Sequence, residues 1–183
     1  WELGLSNAGA PIIIVNAGAI SPLVMLLSTG VSEAKREAAG ALSTLALNNP
    51  SNQLAIATGL VSLLGSGSAE AQEHVTKLLR ELAQDPENRS AIAKAGAVPE
   101  LVRQLECGSE KAMGLAAAGL ALIALKSAEH RATVTQELVK LLASQKEAVR
   151  QRASEALREM AEDDKDGASR KNSTSKASVK PLV

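Results

Sequence analysis

The sequence predicts an all-α solenoid of about four helical repeats with a partial repeat before them. Three observations carry this reading. The block at residues 16–47 (NAGAISPLVMLLSTGVSEAKREAAGALSTLAL) returns without a gap at residues 94–125 (KAGAVPELVRQLECGSEKAMGLAAAGLALIAL), 78 positions on. That period itself divides, because Leu42, Leu79, Leu120 and Leu157 each head an apolar-x-x-apolar-Ala motif, at spacings of 37, 41 and 37. Each motif completes an i, i+4, i+7, i+8 stripe, the signature of an amphipathic helix. The four stripes are Ala38, Leu42, Leu45, Ala46; Val75, Leu79, Leu82, Ala83; Ala116, Leu120, Ile123, Ala124; and Ala153, Leu157, Met160, Ala161. No strand-like alternation competes with them.

The units follow in order. The first, residues 8–48, opens on Ile14, and Gly18 within AGAIS breaks it into two helices before Leu23 and Val24. Gly30 stands where the second should stop in a left-handed conformation, and Ser32 precedes the long final helix. The second unit, residues 49–85, opens on Asn49-Pro50, an N-cap followed by proline at the first helical position, where a missing N–H is harmless. It lacks the five-residue insert, since Ile56 and Leu60 are four positions apart where Ile14 and Leu23 are nine, so its first two helices should fuse. Ser68 precedes its final helix. The third unit, residues 86–126, follows Asp85-Pro86, carries AGAVP between Ile92 and Leu101-Val102, and should stop at Gly108 before Ser109. The fourth, residues 127–162, is again short. Val134, Leu138, Leu141 and Leu142 keep helical spacing with no Gly or Pro over residues 130–143, and Ser144 with Glu147 has capping-box spacing. Gly18, Gly59 and Gly96 all read as helix stops. From 163 to 183 the chain turns Ser- and Lys-rich with few large apolar groups, and a disordered basic tail is expected.

Composition narrows the function. Twenty Lys plus Arg balance twenty Asp plus Glu, so no bulk field draws in nucleic acid or anionic lipid. Trp1 is the only aromatic residue, which removes the stacking platforms of single-strand binders. Cys107 is the only cysteine and no signal peptide is evident, so a cytoplasmic location is expected, with the nucleus as a second compartment. The longest apolar run, residues 115–125, is too short to cross a bilayer. The chain enters its pattern partway through at Trp1, which points to a fragment of a longer protein with an uncovered repeat face prone to self-association.

The segments NQLAIATG from Asn52, NRSAIAKAGAVPELVRQL from Asn88 and REAAGALSTLAL from Arg36 resemble armadillo repeats. The resemblance covers residues 1 to about 163. Residues 1–7 look like the end of a preceding repeat's last helix, and the short units lean toward the two-helix pattern of HEAT repeats. It implies a right-handed superhelix whose last helices line a concave groove. Carried over position by position, the groove positions are Arg36, Gly40 and Thr44; Glu73, Lys77 and Glu81; Gly114, Ala118 and Leu122; and Gln151, Glu155 and Glu159. Armadillo proteins of the importin alpha type hold an extended basic peptide with Trp at the middle position and Asn at the last. Here the middle positions are Gly40, Lys77, Ala118 and Glu155, and the last are Thr44, Glu81, Leu122 and Glu159, so that ladder is missing.

Catalysis finds little support. His74 and His130 have no Cys or carboxylate at metal-ligand spacing, Cys107 lies at a helix end that does not favour thiolate, and the glycines form no phosphate cradle. The carboxylates pair with bases along helix faces, as Glu33 does with Arg36. No enzyme activity, metal or cofactor is expected. The expected partners are other proteins, as peptide or helical segments, with Leu122 as an apolar anchor point and acidic residues toward the C-terminal end of the groove. The same face could instead pack against another part of a longer protein. Substrate recognition within a U-box ubiquitin ligase and adaptor work at a vesicle or vacuole surface are the alternative roles. In the tail, Lys165, Arg170, Lys171, Lys176 and Lys180 among serines read as a solvated terminus, against phospho-regulation, a nuclear address or self-occlusion of the groove.

Overall fold

Five residues decide whether a repeat has three helices or two. Where the AGAIS or AGAVP insert is present, Gly18 and Gly96 adopt φ +83°, a left-handed conformation that strains any residue with a Cβ. The chain turns there and starts a new helix. Where the insert is absent, one long helix replaces the pair. The computed structural model describes residues 10–125 and 127–176, and among them there are ten helices and no strand. The first unit holds α1 (Ala10–Asn16), α2 (Ile20–Thr29) and α3 (Ser32–Ala46); the second, α4 (Pro50–Ser66) and α5 (Ala69–Leu82). The third holds α6 (Pro86–Lys94), α7 (Ala97–Cys107) and α8 (Glu110–Ala124); the fourth, α9 (Ala128–Leu141) and α10 (Glu147–Lys176). Both fusions expected from the missing insert are present, in α4 and α9.

The caps follow the sequence at most starts. The side chains of Asn49, Asp85, Ser68 and Ser109 accept hydrogen bonds from the amides of Asn52, Glu87, Ala71 and Ala112, and Ser127 does the same for His130. Four expectations are corrected. Ser32 is the first helical residue of α3, and Val31 holds the cap position without a side-chain bond. Ser144 accepts from the Lys146 amide while α10 starts at Glu147, so the pair makes no capping box. Gly30 and Gly108 are extended, at ψ 158° and 172°, and need glycine for another reason: a Cβ would lie 2.6 Å from the Leu26 carbonyl oxygen and 2.5 Å from that of Gln104. Gly59 stops nothing and sits inside α4, where a Cβ would come within 3.2 Å of Val24.

Each repeat buries its stripe against its neighbours. Leu42, Leu79 and Leu120 are almost fully enclosed, as are the other members of the first three stripes. They share one apolar cluster with Ile56, Leu60, Ile92, Leu101, Val134 and Leu138. The fourth stripe is looser: Ala153 and Met160 are buried, Leu157 only partly, and Ala161 is exposed. No later helix among the described residues stacks on α10. Two asparagines tie units together. Asn52 donates from Nδ2 to the Leu45 carbonyl at 2.9 Å and Asn88 to that of Leu82 at 3.1 Å, satisfying a buried carbonyl at the end of the preceding helix. The stretch expected to lack structure from 163 is helical as far as 176, because no proline interrupts it and extending an existing helix needs no new nucleus. Residues 1–9, 126 and 177–183 lie outside the described residues, and with them the expected end of a preceding repeat and the last part of the tail. Among the described residues no helix is long and apolar enough to cross a membrane.

Candidate partner-binding surface

The long final helices of the four units, α3, α5, α8 and α10, carry all twelve groove positions named from the sequence. The 3.6-residue period explains why these positions are not buried. Positions i+2 and i+6 within an i, i+4, i+7, i+8 core stripe fall on the opposite face. Arg36, Gly40, Thr44, Lys77, Glu81, Gln151 and Glu159 are exposed, while Glu73, Gly114, Ala118, Leu122 and Glu155 are half-buried. α5 packs along α8 and α8 along α10, so the helices that carry three of the four triplets are neighbours. α3 meets α5 more lightly.

Ion pairs cross these junctions. Lys35, itself 6% exposed, reaches Glu70 on α5 at 2.5 Å. Glu73 on α5 pairs with Lys111 on α8 at 2.5 Å and accepts from Ser109 Oγ at 3.2 Å. The hydrogen bond from Lys111 holds the Glu73 carboxyl below its ordinary 4.5, against an opposing effect of burial, with Ser109 adding to the depression. Lys35 lowers Glu70 in the same way, through its hydrogen bond and then its charge. Pairing within single helices does not reveal these contacts of Lys35, Glu70 and Lys111, nor the second role of the cap residue Ser109. Their separations of 35 to 38 positions, about one repeat, were the available signal.

Further along, Arg152 donates to Glu155 at 2.9 Å, and its guanidinium carbon lies 3.9 Å from where a Cβ on Gly114 would stand. Gln151 also donates to Glu155, at 3.2 Å. Between the charged flanks, Gly114 and Ala118 leave a low floor. Leu122 differs from its expected role as a free apolar anchor: it is half-buried and packs against the core. The strip is thus polar and charged at both sides of a shallow, small-residue centre.

A family model described as armadillo/beta-catenin-like repeat matches residues 7–47 and 85–122, the two three-helix units. No curated protein matches the chain. Among solved structures, the chain is similar to an engineered protein at 34% identity and a TM-score of 0.54, over 84% of this chain and 67% of that one. It is similar to a computationally designed armadillo repeat protein for modular peptide recognition, at 28% identity and TM-score 0.54, over 82% of this chain and 68% of that one. It is also similar to a designed armadillo repeat protein in complex with the peptide (KR)4, at 26% identity and TM-score 0.53, over 84% and 73%.

Proposed function

The chain belongs to the armadillo repeat family, and from that premise we propose that it is a non-catalytic, protein-binding scaffold whose strip on α3, α5, α8 and α10 takes a partner segment with basic residues. The observation that carries this reading is the side-by-side placement of α5, α8 and α10 with a small-residue centre, Gly114 and Ala118, beside carboxylates at Glu81, Glu155 and Glu159. A partner's side chains can approach the helix axes at the centre while its cations meet the carboxylates. The designed relative bound to (KR)4 supports the chemistry by analogy. With Leu122 half-buried against the core, an apolar anchor on the partner is a smaller part of the recognition than the basic residues. The finer roles, ligase substrate recognition or vesicle-surface adaptor, would both use this same strip.

Titration of a short synthetic peptide of alternating lysine and arginine, followed by fluorescence anisotropy, tests the proposal. Binding should weaken with rising salt, and Glu155→Lys with Glu159→Lys should weaken it by about tenfold, equivalent to about 1.4 kcal/mol. Binding unaffected by the charge reversal would sink the reading.

A further inference from the structure

The 78-residue repeat relates the two outer faces of the stack to each other. Inside the chain the second unit lies on the third, with α4 against α6 and α5 against α8. Moved on by 78 positions, the second unit becomes the fourth and the first becomes the third. The outward faces of the fourth and first units therefore carry the two registers of a junction that this fold already makes. In the units that meet there, Leu64 is 0% and Ile92 1% exposed, whereas their counterparts Leu142 and Ile14 are 40% and 45% exposed. A repeat that stays last in its stack needs a polar outer face. The first unit presents Ile13, Ile14 and Val31 to solvent instead.

Taken pair by pair, the counterparts suit one another. Leu54 of α4 and Ala91 of α6 line one recess at the internal junction. Ala132 and Ile13 hold those registers, so the large and the small residue change sides and the summed size is kept. Gly119 of α8 stands beside Arg80 of α5, where an added Cβ would lie 3.8 Å from the Arg80 Cβ, an ordinary contact. Its counterpart Ala41 supplies that methyl against Arg158 without a clash. Arg103 donates to the Leu64 carbonyl at 2.6 Å, and in the same registers Met25 and Leu142 form an exposed apolar pair. Glu73 meets Lys111 and Ser109 across the junction. Gln151 would meet Glu33 and Val31 there, exchanging an ion pair for an amide-to-carboxylate hydrogen bond. No like charges face each other in any of these pairs.

We propose that a second copy of the chain stacks head to tail, its first unit on the fourth unit of the copy before it, in the register of the internal second-to-third junction. The complementarity lies between the two different faces, and a symmetric pairing of either face with itself would use none of it. A contact of this kind does not close on two copies, so chains add in series. The surface of final helices would then run on from α10 of one copy to α3 of the next.

Sedimentation velocity on the full chain from micromolar to millimolar concentration tests this, with the average mass expected to climb past that of a dimer. Two variants each spoil one face. Ile13→Asp with Val31→Asp alters the most exposed apolar positions of the first unit and places a favoured capping residue ahead of α3. Leu142→Asp with Arg158→Asp alters the fourth. Each should keep its thermal melt and need at least about tenfold more protein to associate. Mixed, the two variants should form a one-to-one pair that grows no further, because each keeps one competent face. Independently of those variants, Met25→Cys with Leu142→Cys in a Cys107→Ser background should give a ladder of disulfide-linked chains on mild oxidation. A chain that stays monomeric throughout, a species that stops at the dimer, association that survives either variant, or two variants that fail to pair would each overturn the proposal.

Discussion

Asn52 and Asn88 are both buried and each donates a side-chain amide to a carbonyl of the preceding helix; the Leu82 carbonyl served by Asn88 also accepts from the Asp85 amide at 3.2 Å, so the donor that matters most is Asn52, on the Leu45 carbonyl. Removing that donor leaves a buried acceptor unpaired, which costs about 1–3 kcal/mol. Asn52→Ala should therefore lower the unfolding free energy measured in urea by that amount, and Asn88→Ala by less, without changing the helix content seen by circular dichroism. The pattern of these asparagines was legible in the repeat motif, but their partners were not, because a side-chain-to-carbonyl bond six or seven residues back leaves no periodic trace. The ion pairs at Glu70 and Glu73 were hidden for a similar reason: their cations lie one repeat away. Both carboxyls are depressed, so the stability they contribute is present above the ordinary value of 4.5 and is lost as pH falls through their lower folded values. A melting temperature followed downward from pH 6 should drop in that acid window, and Glu73→Gln should flatten part of the drop.

At the scale of a helix, burial tells which stripes are stacked on both sides. Leu120 on α8 lies between α5 and α10 and is fully enclosed, whereas its counterpart Leu157 on α10 is only partly covered. Leu120→Ala should cost about 2–5 kcal/mol in chemical denaturation and Leu157→Ala clearly less, since a half-open site loses less burial and leaves a smaller cavity. Equal losses would mean that α10 is covered on its far side. Helix number and order were readable from the period and from the five-residue insert. The glycine roles were only half readable: Gly18 and Gly96 turn the chain through a positive φ, but Gly30 and Gly108 are needed where a carbonyl oxygen crowds the Cβ position. Both kinds of glycine follow a helix in the sequence, and only coordinates separate crowding from handedness. The continuation of α10 to 176 went unread because polar composition argues against burial, not against a helix already under way.

For the whole molecule, stacking does two things at once. It encloses the leucine stripes and lays α5, α8 and α10 against one another; the outward positions follow from the same periodicity that gave the core, and their use as a binding strip is the proposal made above. A bound partner segment should lie across this row at its centre. A photo-crosslinking side chain placed at Ala118, with Met25 as the control position, tests this with the lysine–arginine peptide. The Ala118 site should capture the peptide and the Met25 site should not; capture at Met25 alone, or at neither, would rule the central strip out as the binding surface.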